Sequence, residues 1–150
     1  MIRGQNLLNL LVHQDFGPRY FKGKEPWCRL LFSQFLSGLY KIHQADFAHL
    51  DLKVDNLFIN IEKNEKGMLE PCLKIIDFGS AHHGLHSVTY ASTSPYRPPE
   101  SLPEHFPYDG ERSDVFASAF VLLALYSLSR LSAGDSEHVQ ARSSHYEYFA

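Results

Sequence analysis

Two stretches of the chain hold side chains able to handle a metal-bound phosphate. The first, "HLDLKVDN", sets His49, Asp51, Lys53 and Asn56 within eight positions, with apolar residues on both sides. The second, "DFG", supplies the carboxylate of Asp77 just after another apolar run. An amide oxygen and a carboxylate, from Asn56 and Asp77, are ligands that a hard cation such as magnesium takes when it carries phosphates. Lys53 would add positive charge beside them, and the Asp51 carboxylate can orient or deprotonate an attacking hydroxyl. Taken singly, these residues have plainer uses: Asp51 and Asn56 can cap a turn, and Lys53 can pair with Asp55 on the surface. What separates the two readings is whether the side chains meet, and that depends on the elements that carry them.

The runs "LFIN" and "CLKII" are short, apolar and bounded by turn signals, with polar "EKNEKG" between them, which predicts a small β-hairpin. Asn56 precedes the first strand and Asp77 follows the second, so pairing would bring both to one end of the hairpin. A helix is predicted from Pro26 to about Gln44, with the proline in its first turn. One apolar column runs Trp27, Leu31, Phe35, Leu39, Ile42 and a second runs Cys28, Phe32, Leu36, Tyr40. Only Arg29, Ser33, Ser37 and Lys41 form a polar strip, so this helix should be mostly buried. A short helix is expected over Asn6 to Val12, ahead of a Gly17-Pro18 turn. Ser80 to Arg97 shows no apolar period and reads as a long loop. Ser113-Asp114 reads as the N-cap of "VFASAFVLLALYSL", a run apolar on every face and therefore a central helix.

Composition narrows the classes. With 150 residues and 44% hydrophobic, the chain is one domain or part of one. The net charge of -3 arises from mixed acids and bases without a basic block, so no nucleic-acid partner is expected. Cys28 and Cys72 are too few for a disulfide framework and lack zinc-site spacing, which favours a reducing, cytoplasmic setting. The N-terminal apolar run is broken by Asn9 and has no cleavage motif, so no leader is expected. Val115 to Leu128 falls short of the roughly 20 residues of a bilayer crossing, so no membrane span is expected either. His82, His83 and His86 could bind zinc, but Gly84 interrupts them and no fourth ligand is near, so a solvated loop is the expectation.

At this point the sequence resembles the eukaryotic-type protein kinases, whose catalytic loop H-R-D-L-x-x-x-N is followed by D-F-G and A-P-E. "STSPYRPPE", Ser92 to Glu100, is similar to the end of the family's activation segment, with Thr93 where a threonine contacts the catalytic loop. "SDVFASAFVLLAL" is similar to the central helix of the large lobe, and implies that Asp114 accepts hydrogen bonds from the catalytic-loop backbone. The resemblance implies Asp51 as catalytic base, Lys53 as a contact of the transferring phosphate, and Asn56 and Asp77 as magnesium ligands, with ATP and Mg2+ as cofactors. His49 would pack under the loop. Lys53 and the Thr93 segment favour the serine/threonine group, with a protein substrate. Small-molecule phosphotransferases share a similar loop but lack a "TSPYRPPE" type of segment.

Several residues depart from the family pattern. Leu50 stands where most members have an arginine that docks a phosphate of the activation segment through charge-assisted hydrogen bonds. Phosphorylation of Ser87, Thr89 or Ser92 is therefore not expected to switch activity by that route. Ser92 replaces a usual glycine, Pro98 the alanine of A-P-E, Phe116 a tryptophan and Ala119 a glycine. The connection between Asn56 and Asp77 is longer than typical, which puts its extra residues on the surface.

The expected architecture is α+β: residues 1–150 as a mainly helical, kinase-like C-terminal lobe with a small hairpin, from the hinge to just past the central helix. No Gly-rich loop, strand lysine or partner glutamate is read in these residues, so the N-terminal lobe is expected to be absent from them. The arginine that pairs with Glu100 in the family has no counterpart, and "HYEYF" reads as a helix face cut from its partners. The resemblance thus implies a protein serine/threonine kinase present as a truncated domain, with the missing lobe or a partner chain needed. Positioning contributes roughly 7–11 kcal/mol to such reactions, so losing half of it would slow transfer on the order of a thousandfold. The alternative is a non-catalytic, pseudokinase-like binding module or fragment, which the intact Asp51, Lys53, Asn56 and Asp77 argue against. An exposed apolar patch, with self-association, is expected in either case.

Overall fold

A computed structural model describes residues 2–12, 21, 23–86, 88, 96–101 and 107–130. In chain order its elements are β1 (Ile2–Asn6), α1 (Leu7–Val12), α2 (Glu25–Gln44), β2 (Phe47–Ala48), β3 (Leu57–Lys63), β4 (Leu69–Ile75), β5 (His82–His83) and α3 (Gly110–Arg130). Single 3₁₀ turns lie at Val54–Asn56 and Pro99–Ser101.

The hairpin forms where its strands were read: β3 and β4 pair antiparallel in register from Leu57 opposite Ile75 to Lys63 opposite Leu69. The Asn64 side chain closes the turn, its oxygen accepting the Lys66 and Met68 N–H groups. The hairpin is not alone, however. β1 pairs with β3 on the other side, giving a three-stranded sheet in the order β1-β3-β4. Gly4 lets β1 come this close, since a Cβ there would lie 2.2 Å from the Phe58 ring. "IRGQN" carries little apolar alternation, so periodicity gave no reason to expect a strand.

α2 lies against β4 and α3. Its Gln34 side chain treats the open edge of β4 as another strand would, accepting the Leu73 N–H at 2.8 Å and donating to Pro71 O at 3.2 Å. The core gathers Leu31, Phe35 and Leu39 of α2 with Val121, Leu125 and Leu128 of α3, Leu57 and Ile59 of β3, and Leu7 and Leu10 of α1.

The expectation that both long helices are covered on nearly every face is corrected. α2 buries Cys28, Leu31, Phe35 and Leu39, while the column of Leu36 and Tyr40 is open. On α3, Val115, Leu122, Leu123 and Tyr126 are exposed among the described residues. Apolar columns show what a helix can bury, not which face a neighbour reaches. α3 also starts at Gly110, not at Val115. The Asp109 carboxylate accepts the Arg112 N–H at 3.1 Å and so caps the helix, leaving Ser113 and Asp114 buried within it. At 21 residues α3 has the length and composition of a membrane span, contrary to the shorter expectation, but its Ala117, Val121, Leu125, Leu128 face belongs to the core.

The long loop after Asp77 is partly ordered as strand. β5 pairs antiparallel with β2, Phe47 opposite His83 and Ala48 opposite His82, and Val88 bridges Tyr108. The Gly17-Pro18 turn, Ser87, Thr89, Ser92, Thr93 and "HYEYF" lie outside the described residues.

Candidate active site

Hydrogen-bonded ladders place the first two members. Asn56 ends a 3₁₀ turn and enters β3, and its carbonyl accepts the Ile76 N–H at 2.9 Å. The pairing puts Asn56 beside the residue that precedes Asp77, at one end of the hairpin. Asn56 is buried, and its amide nitrogen donates at 2.9 Å to both the Asp51 carbonyl and Asp51 Oδ2. A cation would therefore take Asn56 through its amide oxygen. Lys53 Nζ reaches the same Asp51 oxygen at 2.9 Å.

Asp77 differs in kind. It is exposed, on a left-handed backbone at φ 62°, and its Oδ1 accepts the Gly79 N–H at 3.1 Å. Aspartate is among the few residues that tolerate this conformation, which here carries the carboxylate out of the strand direction. Phe78 is half-exposed and its ring lies 5.0 Å from that of His49.

The loop around Asp51 is fixed from below. Asp114, nearly inaccessible on α3, accepts the His49 N–H at 2.8 Å on Oδ2 and the Leu50 N–H at 2.9 Å on Oδ1. His43, from the last turn of α2, places Nε2 2.8 Å from Asp114 Oδ2, with Glu111 3.9 Å from its other nitrogen. One carboxylate thus ties α2, α3 and the loop together. Sequence reasoning found Asp114 but missed His43, because nothing local links it to a residue 71 positions later. Its place in the last helical turn suggests only a favourable helix-end charge.

His49 is fully buried. Its Nδ1 accepts the Asp51 N–H at 3.3 Å, so Nε2 carries the proton and donates to Ile76 O at 3.2 Å. Burial pushes this ring below the ordinary histidine range, against the upward pull of Asp114, the Ile76 carbonyl, Asp51 and Asp77. A neutral imidazole is what this double hydrogen bond requires.

The donor set fits a magnesium-bound nucleotide at the level of chemistry: an exposed carboxylate and an amide oxygen at one hairpin end, with a lysine and a second carboxylate adjoining. Glu100 is exposed and has no ion pair among the described residues, while the Arg97 guanidinium donates to the Ser101 backbone carbonyl. His83 lies 3.9 Å from Asp46, and His86 3.2 Å from Asp109, both exposed. No group of three or more such metal-ligating side chains is found among the described residues.

Comparison with known proteins gives a single picture. The protein kinase domain family matches residues 2–148. Mitogen-activated protein kinase pmk-1 of Caenorhabditis elegans is 33% identical over 141 residues, covering 93% of this chain and 33% of the relative. The sporulation-specific mitogen-activated protein kinase SMK1 of Saccharomyces cerevisiae is 36% identical over 118 residues, 70% of this chain and 28% of the relative. The chain thus spans about a third or less of these relatives. Among solved structures, the yeast RNA Pol II CTD kinase CTDK-1 complex superposes with a TM-score of 0.64 at 26% identity, over 83% of this chain and 37% of that one.

Proposed function

Because the chain belongs to the protein kinase domain family, we propose that it carries the large-lobe half of a protein serine/threonine kinase site. Asp51 orients the hydroxyl of a protein substrate and accepts its proton, at an oxygen that Asn56 and Lys53 already hold in place. Lys53 extends its charge toward the transferring phosphoryl group. Asn56 and Asp77 would hold magnesium, which would carry the phosphates of ATP as phosphoryl donor.

The observation that carries this reading is the Asn56 amide. It bonds Asp51 on one side, and its backbone is paired beside Asp77 on the other, so base and metal ligand are fixed relative to each other. Catalysis in such sites is mainly positioning and electrostatics, and this is a positioning device.

Calorimetry of magnesium-dependent ATP binding by the full chain and by Asp77→Ala tests it. Binding that disappears in the variant supports the reading. Binding that Asp77→Ala leaves unchanged, or no binding by the unaltered chain, overturns the assignment of this half-site.

A further inference from the structure

Directly beneath Asp51 lies a second, separate apolar cluster that the site chemistry does not use. Ala48, Leu50, Val88 and Tyr108 are each buried there, and Leu85 packs against them. These residues come from three places: the loop before Asp51, the segment after Asp77, and the approach to α3. Leu50 sits at φ 62°, a left-handed backbone that a leucine adopts only when its surroundings hold it there.

The walls of this cluster are joined by backbone hydrogen bonds. Val88 and Tyr108 exchange N–H···O bonds at 3.0 and 2.9 Å, the Gly110 N–H donates to Leu85 O at 2.7 Å, and the Gly84 N–H donates to Asp46 O at 2.7 Å. Gly110 leaves the space that Leu50 needs. A Cβ at 110 would lie 2.7 Å from Ala48 Cβ, 3.1 Å from Val88 Cγ2 and 3.3 Å from Leu50 Cδ2.

We propose that Leu50 is a positioning residue: its side chain plugs Leu85, Val88 and Gly110 against the loop, and so fixes the backbone on which Asp51 is presented. The Leu50 N–H is held by Asp114 and its side chain by the cluster, so the residue before Asp51 is fixed at both ends. Apolar packing and backbone hydrogen bonds together set this arrangement. Asp51 as the base is the reading given above, and the importance of Leu50 for turnover rests on it.

Hydrogen exchange on the full chain, with Leu50→Ala and Leu50→Met, tests the plug without needing turnover. Leu50→Ala is expected to speed exchange of the Val88, Tyr108 and Gly110 amides about tenfold or more while the β3–β4 hairpin keeps its protection, and Leu50→Met is expected to restore the slow rate. Should Leu50→Ala fail to fold, Val88→Ala empties the opposite wall and is read the same way. Exchange that is unchanged, or equally faster in the hairpin, overturns the plug. If the chain transfers phosphate, Leu50→Ala should also lower kcat about tenfold with little change in KM for ATP, because Asn56 and Asp77 are untouched. A chain that shows the exchange pattern but no magnesium-dependent ATP binding would overturn the half-site reading and leave the plug standing.

Discussion

The two carboxylates of the candidate site are built in opposite ways. Asp51 is mostly enclosed, bonded by Asn56 and Lys53, on a loop whose backbone is held by Asp114 and whose neighbour Leu50 is buried. Asp77 stands exposed at a strand end, with the Gly79 N–H on its carboxylate. One end is fixed by the polypeptide; the other offers its charge to whatever binds. A base must be aimed before its substrate arrives, whereas a cation ligand is completed by the ion and its phosphates.

The largest test of that contrast compares Asp114 with Asp77 by urea unfolding. Asp114→Ala removes a buried acceptor of two backbone N–H groups and the partner of His43, and is expected to cost about 3–5 kcal/mol. Asp77→Asn keeps a residue that tolerates the left-handed turn and is expected to stay within about 0.5 kcal/mol. Equal costs would break the contrast, because Asp77 would then be part of the scaffold.

Asn56 belongs to both ends, so Asn56→Ala should move two readings at once. It leaves the Asp51 carboxylate short of a buried donor, at roughly 1–3 kcal/mol, and removes an oxygen from the proposed cation site. Weakened magnesium-dependent ATP binding at full stability would place Asn56 with Asp77 alone. Lys53→Met should show a smaller structural effect. The Lys53–Asp51 pair is largely enclosed, but Asn56 still holds the Asp51 oxygen in the variant, so unfolding should change less than in Asp114→Ala while phosphoryl transfer falls.

How far each end was legible follows from how local its causes are. The hairpin, and with it the place of Asn56 beside the residue before Asp77, is fixed by strand runs and a polar turn that adjoin in sequence. The contact of Asp114 with residues 49 and 50 was expected from the kinase resemblance, not from spacing. His43 was missed because its partner is distant in sequence, and the start of α3 because Asp109-Gly110 reads as a turn as readily as a cap. β1 became a strand through β3, which its own residues do not announce. The half-covered helices show the same limit: Leu36 and Leu39 look alike in sequence, yet among the described residues only Leu39 of the two is buried.

The smallest expected effect is a pH dependence that reaches both ends through His49. Its ring is buried and neutral, bonded to the Asp51 N–H and the Ile76 carbonyl, and burial lowers its pKa below the ordinary value of about 6.5. On acidification the unfolded chain takes up this proton first, while the folded ring resists. The contribution of His49 to stability is therefore fully present above about pH 6.5 and falls as the pH drops toward the lowered folded value. Urea midpoints measured between about pH 7.5 and 5.5 should decline, and His49→Gln should flatten that decline even if it is less stable at neutral pH. Asp77 is among the carboxylates that hold the His49 pKa up, so Asp77→Asn should steepen the acid loss while leaving neutral-pH stability nearly unchanged. An identical slope in Asp77→Asn would mean that the exposed carboxylate is electrostatically screened from the loop, and that the two ends communicate through the hairpin backbone alone.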